Sequence, residues 1–370
     1  MIRKAKRFKS RTKINTCYYL RCGAKTLTFL FWATLYMVVM KLTVFKSSVE
    51  PAPKDWAMAP DNYTKWLGPV LGDEPEPEPE WIEPDNETVV ELKSRAATVQ
   101  RVCRERSLPT ERINSKEFFV DHDHNIVWCN IFKAASSSWL YKFNVLGGYD
   151  KKFLARTKMI PLMLARKKFP RPIEEEIRDA VRTPGVISLI VVREPFVRLL
   201  SAYRDKLENV TPLYYRKLAR AIVAEHRPKA TGTIKSYGPT FNEFVAYLIT
   251  NHRANDKPFD EHWAPYHQFC TPCSVNFTMI AKVETLSRDS AFVIHELGLG
   301  HVMGRTVGDR RTRLRTVINK SKDGRNTTAL MKHYFSQLSE TMLDSLLEIY
   351  GLDFEMFGYD ANVYRNYVRK

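Results

Sequence analysis

Val186-Ile-Ser-Leu-Ile-Val-Val-Arg-Glu-Pro-Phe-Val-Arg-Leu-Leu-Ser-Ala-Tyr203 is the stretch that decides the fold. Its first seven residues form a short apolar run rich in β-branched side chains, the pattern of a strand buried on both faces. Pro195 suits the first turn of a helix, where a missing N–H costs little, so a helix is expected over 195–208. Arg193 and Glu194 form the turn between them. The same order recurs some sixty residues upstream. There Ile126-Val-Trp-Cys129 reads as a strand, Asn130 to Ser138 as a polar turn, and 139–146 as a helix stopped by Gly147-Gly148. Repeated strand–turn–helix units predict an α/β fold, a central parallel sheet flanked by helices. Towards the C-terminus, 327–350 reads as one or two amphipathic helices, with Leu330, Tyr334, Leu338, Met342 and Leu346 spaced as a core face.

The two turns carry chemistry. A helix start offers unpaired N–H groups and the positive end of the dipole, so it binds anions. In Phe132-Lys133-Ala134-Ala135-Ser136-Ser137-Ser138, Lys133 adds a mobile charge and the serines add hydroxyl donors. This is the physics of a P-loop without its Gly-x4-Gly-Lys-Ser/Thr wording. Arg193, at a strand's carboxyl end, can bind a phosphate through two parallel bonds. Ser201 follows eight residues later, about two helical turns, and can face the same pocket mouth; Arg198 and Arg204 lie on other parts of the helix. Together the turns suit a ligand with two separate phosphate groups, hence a nucleotide cosubstrate. The plainer readings are a serine-capped helix beside an exposed lysine, and an Arg193–Glu194 surface pair with Ser201 as a packing residue.

The 370 residues carry a net charge of +17 and are 44% hydrophobic, enough for a sizeable core. Residues 1–25 hold nine Lys/Arg and no acid; without them 49 basic residues face 41 acidic ones, a balance of +8 that suits anionic ligands. Residues 26–45 are almost wholly apolar, with Lys41 the one charge, near the ~20 residues a bilayer core requires. The basic flank puts the tail in the cytoplasm and the rest in a lumen, so a signal-anchor is expected, with a cleaved signal peptide as the alternative. Residues 46–95 read as a stem, since Asp73 to Asp85 alternates Pro with seven acids and stays extended. Residues 96–370 are the globular luminal domain. Sequons at Asn62, Asn86, Asn209, Asn276, Asn319 and Asn326 all fall on the luminal side. Cys17 and Cys22 face the cytosol, whereas Cys103, Cys129, Cys270 and Cys273 lie where disulfides persist and allow three connectivities. The anchor, the sequons and the lack of any nucleic-acid module exclude a nucleic-acid partner.

These segments resemble the phosphosulfate- and phosphate-binding motifs of Golgi carbohydrate sulfotransferases, most closely the branch of chondroitin and dermatan 4-sulfotransferases and the HNK-1 sulfotransferase. Three further stretches carry the likeness: His262-Trp-Ala-Pro with Cys270-Thr-Pro-Cys273, Ile280-Ala-Lys-Val-Glu-Thr-Leu286, and Tyr350-Gly-Leu-Asp-Phe-Glu-Met-Phe-Gly-Tyr359. The likeness spans about residues 100–360. It departs at Phe132, where the family has proline.

The resemblance implies a P-loop-like sulfotransferase fold and 3′-phosphoadenosine 5′-phosphosulfate (PAPS) as sulfuryl donor, with no metal. Phe132 to Ser138 would hold the 5′ phosphosulfate, and Arg193, Glu194, Pro195, Arg198 and Ser201 the 3′ phosphate. Lys133 would stabilise the leaving oxygen and His262 would be the general base, with His267, Glu284, His122 and His124 as rivals. The expected acceptor is an anionic glycan, N-acetylgalactosamine (4-O) of a chondroitin- or dermatan-type glycosaminoglycan, or else an N-glycan or a glucuronate. Its surface is expected in 214–240 and 300–319, where Arg310, Arg311, Arg313 and Arg315 cluster. The expected location is the Golgi membrane, single-pass, with the catalytic domain in the lumen. Two alternatives stand beside this reading: an inactive PAPS- or glycosaminoglycan-binding protein, because Phe132 replaces proline, and a zinc site at Cys270, Cys273, His262 and His267.

Overall fold

The computed structural model describes residues 86–208, 212–227, 238–255, 258–303 and 325–370. The basic tail, the apolar segment 26–45, the stem as far as residue 85, Asn62, Asn209, Asn319 and the four arginines at 310–315 lie outside the described residues. Among the described residues no helix is long and apolar enough to cross a membrane.

Four strands form one sheet in the order β1-β2-β3-β4: Phe118–Asp121, Ile126–Cys129, Ile187–Val192 and Met279–Lys282. β2, β3 and β4 are parallel, while β1 pairs antiparallel with β2. The expectation of a parallel sheet therefore needs an addition. A tight hairpin precedes the first strand–turn–helix unit, and such a turn can join only antiparallel neighbours. Asp121 builds that turn by accepting from the N–H groups of Asp123 (3.1 Å) and His124 (3.2 Å), and Asn125 takes the left-handed φ of 54° that closes it.

The sheet is buried on both faces. Trp128, Leu189, Val191 and Ala281 pack to one side, against helices α2 (Ser136–Leu146), α3 (Pro161–Lys168) and α8 (Leu286–Glu296). Val127, Cys129, Ile190, Val192 and Ile280 pack to the other, against α1 (Asn86–Glu105) and α4 (Glu174–Arg182). This two-residue alternation with both faces covered explains why the strands read as continuous apolar runs. A helical layer of α5 (Pro195–Tyr203), α6 (Leu213–His226), α7 (Phe241–Ala254) and α9 (Glu340–Phe357) forms a third body of core around Phe196, Phe241, Phe244 and Trp263.

Several boundaries differ from the sequence reading. The fold takes in residues assigned to the stem. Helix α1 begins at Asn86, and Leu92 is fully buried among the residues covering the sheet. Buried Arg95 bonds the Ile280 carbonyl (3.1 Å) and the Asp289 carboxylate (2.6 Å), fastening α1 to β4. Helix α2 starts at Ser136, not at residue 139, and α5 ends at Tyr203, continued by one π turn over Arg204–Glu208. The C-terminal segment divides into Met331–Phe335 and α9, because Ser339 caps the N–H of Met342; Leu338 is buried between the two helices.

Cys103 is bonded to Cys273 and Cys129 to Cys270, so the chain uses one of the two connectivities, out of three, that spread Cys270-x-x-Cys273 across two bridges. Both thiols of the zinc alternative are spent in these bonds. The bridges tie α1 and the end of β2 to the loop after His262. They close segments of 170 and 141 residues, each restricting the unfolded chain by roughly 5 kcal/mol in the loop-entropy picture.

Candidate active site

The carboxyl ends of parallel strands are where open α/β sheets bind ligands, and here β2, β3 and β4 deliver the site residues together. After β2 the backbone turns sharply. Lys133 (φ 66°) and Ala135 (φ 60°) both adopt left-handed conformations, costing roughly 1–3 kcal/mol each. Alternation of this kind turns successive N–H groups towards one point, an anion-binding nest. Ala135 is the N-cap of α2 and supplies no side-chain acceptor, while its carbonyl takes the N–H groups of Ser138 (3.0 Å) and Trp139 (3.2 Å); a helix start of this kind presents the positive end of its dipole to an anion. The sequence reading of a serine-capped helix is thus replaced: the serines occupy the first turn itself. Ser136 and Ser137 are half-buried and Ser138 is buried.

The Lys133 side chain is 18% exposed and its Nζ lies 3.3 Å from Asp205 Oδ2, on the π turn after α5. Burial pulls its amine below the usual lysine range against the pull of Asp205, and Lys206 and Arg193 act in the same direction as burial. Cations held this close to one another favour an anion between them. Arg193 follows β3 directly. Its backbone N–H donates to Tyr266 Oη (2.9 Å), which donates back to the Arg193 carbonyl (2.8 Å). Burial lowers its guanidinium's affinity for protons while Glu284 raises it. Glu284 accepts from the Glu194 N–H (3.0 Å) and the Tyr359 hydroxyl (2.9 Å), which fixes the turn. Ser201 lies half-buried on α5, whose start is that same turn.

Two residues expected to hold a phosphate do other work. Arg198 is 1% exposed, and its guanidinium bonds the carbonyls of Phe132 (3.0 Å), Ala264 (2.8 Å) and Glu261 (3.3 Å) while lying over the Tyr266 ring. It joins the Lys133 loop to the His262 loop and faces no solvent. Glu194 caps α5 by accepting from the Val197 N–H (2.5 Å), and burial pushes its carboxyl up to about 7. Pro195 is the buried first residue of that helix.

His262 stands beside the Lys133 loop, its ring centroid 4.7 Å from that of Phe132. Nδ1 lies 2.8 Å from Asp260 Oδ1 and 2.9 Å from Tyr215 Oη. Burial lowers the imidazole to about 4 in spite of Asp260, and Lys206 and Lys133 contribute to the lowering. The rivals are placed elsewhere. His122 and His124 precede β2, at the opposite end of that strand, on Glu176 and Asp121. His267 is tied through Nδ1 to buried Asp353 (2.8 Å). Glu284 is engaged in the Arg193 turn.

Sequence reasoning missed Asp205, Lys206, Tyr215, Asp260 and Glu261. Two were open to inference: Asp205 is one helical turn past Ser201, and Asp260 sits two residues before His262, the spacing of an Asx turn.

The sulfotransferase family model matches residues 116–360. Carbohydrate sulfotransferase 11 of Rattus norvegicus is similar at 29% identity over 294 residues, 73% of this chain and 79% of its own. Carbohydrate sulfotransferase 14 of Danio rerio is 28% identical over 290 residues, covering 74% and 72%. Carbohydrate sulfotransferase 10 of Homo sapiens is 28% identical over 294 residues, covering 75% and 78%. No solved structure gives a significant match.

Proposed function

The chain belongs to the sulfotransferase family, and from that premise we propose that it moves a sulfuryl group from PAPS to a hydroxyl of a glycan. The observation that carries this reading is the convergence, at the ends of β2 and β3, of a left-handed Lys133 loop, an uncapped helix start and Arg193. That donor set fits PAPS. The loop N–H groups, Lys133 and the first-turn serines would hold the 5′ phosphosulfate, and Arg193 with Ser201 the 3′ phosphate. PAPS supplies an activated sulfuryl group and a good leaving phosphate. Lys133 would stabilise charge gathering on the leaving oxygen, a contribution worth about 3 kcal/mol where such a donor is removed. His262 would accept the hydroxyl proton. Its neutrality above pH ~5 keeps the lone pair available, and bound anionic groups would raise its basicity.

Relatives named carbohydrate sulfotransferases support a glycan acceptor, and the basic balance of the luminal part suits an anionic one. We assign N-acetylgalactosamine (4-O) of chondroitin- or dermatan-type chains as that acceptor and the Golgi membrane, single-pass with the catalytic domain in the lumen, as the location. Offering desulfated chondroitin, dermatan, heparosan and N-glycans side by side, with labelled PAPS, tests the assignment. Label is expected on the first two; label on heparosan or N-glycans alone would overturn it.

A further inference from the structure

The groups around His262 specify more than a general base. We infer that Asp260 and Tyr215 are positioning residues that lock His262 as its Nδ1–H tautomer, leaving Nε2 as the proton acceptor, while Phe132 clamps the ring. This rests on the reading of His262 as the base.

Asp260 Oδ1 accepts from the backbone N–H of His262 (2.9 Å) and lies 2.8 Å from Nδ1 of the same residue. A carboxylate offers only lone pairs, so the nitrogen facing it carries the proton. Burial opposes charge on Asp260, yet the bonds from the His262 ring and backbone and from Tyr215 hold its carboxyl below the usual range, ionised as the arrangement needs. With Nδ1 donating, the Tyr215 hydroxyl, 2.9 Å from Nδ1, turns its proton to Asp260 Oδ2 at 3.3 Å. The imidazole thus has one fixed tautomer and one fixed edge.

The ring faces are fixed as well. Phe132 lies across one at 4.7 Å and 35°, and Tyr215 meets the imidazole edge-on at 5.8 Å and 88°. The Phe132 carbonyl is held by Arg198, so the aromatic clamp and the Lys133 loop move as one piece. Phe132 occupies the position where the resembling enzymes carry proline. A ring stacked on the base replaces the stiffness of a fixed φ.

In the transfer step the acceptor oxygen bonds to sulfur and its proton passes to Nε2. The sulfur–oxygen bond to the leaving phosphate breaks, with its electron pair kept on the phosphate oxygen beside Lys133. The imidazolium, held by Asp260, then releases its proton to water. The charged and titratable groups facing the ring are Lys133, Lys206, Asp260, Tyr215 and Glu261, whose Oε1 is 3.9 Å from Nδ1.

The test uses the full chain labelled with ¹⁵N-histidine. Long-range ¹H–¹⁵N spectra, with His262→Asn assigning the ring, should show Nδ1 protonated and Nε2 bare; a ring protonated at Nε2 overturns the inference whatever the activity. Asp260→Asn should lower kcat by ~10²-fold or more while KM for PAPS changes under ~3-fold, because only the tautomer and the imidazolium are affected. Its acid limb should move to lower pH, since the imidazolium loses its carboxylate. Tyr215→Phe should keep the tautomer and lose roughly 5-fold in kcat, the worth of one hydrogen bond. Unchanged kcat in Asp260→Asn with an inactive His262→Asn sinks the positioning role alone, whereas a fully active His262→Asn sinks the reading of the base beneath it.

Discussion

Replacing Arg198 by alanine separates a structural strut from a ligand contact. The side chain is 1% exposed and donates to the carbonyls of Phe132, Ala264 and Glu261 at 3.0, 2.8 and 3.3 Å. A hydrogen bond from a charged donor contributes about 1.5–3 kcal/mol, and a carbonyl left buried without a partner costs about 1–3 kcal/mol. Those figures do not add fully, because the carbonyls share one donor and water can enter the vacated space. A loss near 4 kcal/mol follows, within the range for breaking a buried charged network. For a folded region of this size that lowers Tm by roughly 7 °C. Differential scanning calorimetry reads the shift. Isothermal titration with PAPS, well below both transitions, reads the site. Arg198→Met, which fills the space without donors, should fall nearly as far. A melting temperature within ~1 °C of the wild type together with lost PAPS affinity would refute the reasoning and return Arg198 to the phosphate.

Arg193→Ala should weaken PAPS by about 10²–10⁴-fold, two charge-assisted bonds, but leave affinity for an analogue lacking the 3′ phosphate almost unchanged; equal losses for both ligands would remove Arg193 from that phosphate. Glu194 is held at about 7 by burial, against 4.5 when unfolded, so its contribution to stability is complete below pH 4.5 and is lost as pH rises through 7. Glu194→Gln keeps an acceptor for Val197 and should flatten the fall of Tm across that window; an unchanged slope would contradict the assignment. Serine at Cys103 and Cys273 should lower stability by about 2–5 kcal/mol, seen as a lower urea midpoint, while transfer at 20 °C persists.

The parallel core was legible because strands covered on both faces leave unbroken β-branched runs, as in Ile187–Val192 and Ile126–Cys129. The hairpin strand Phe118–Asp121 and the edge strand Met279–Lys282 are as long as Ile126–Cys129 but hold one β-branched residue each, Val120 and Ile280, so no such run marks them. Lys133 and Arg193 were visible for a local reason: Arg193 follows β3 directly and Lys133 lies in the short turn after β2. Asp205, Tyr215 and Asp260 meet them only through tertiary packing, across separations no motif records. Arg198 misled for the same reason. An arginine five residues past Arg193, itself at a strand's carboxyl end, reads as a ligand until its three carbonyl partners are seen. The two disulfides were likewise undetermined, since four cysteines fit any of three pairings until α1 is docked beside the loop of Cys270 and Cys273.

Transfer of labelled sulfate from PAPS by the purified full chain, beside Lys133→Ala at equal folded concentration, tests the central claim most directly. Expected is label on the acceptor with the wild-type chain and a drop in kcat of ~10²-fold or more in the variant, its melting temperature unchanged, because Lys133 acts on charge that appears only in the transition state. Equal turnover by the two proteins, or PAPS bound tightly by the wild type with no label moved to any acceptor, would contradict it.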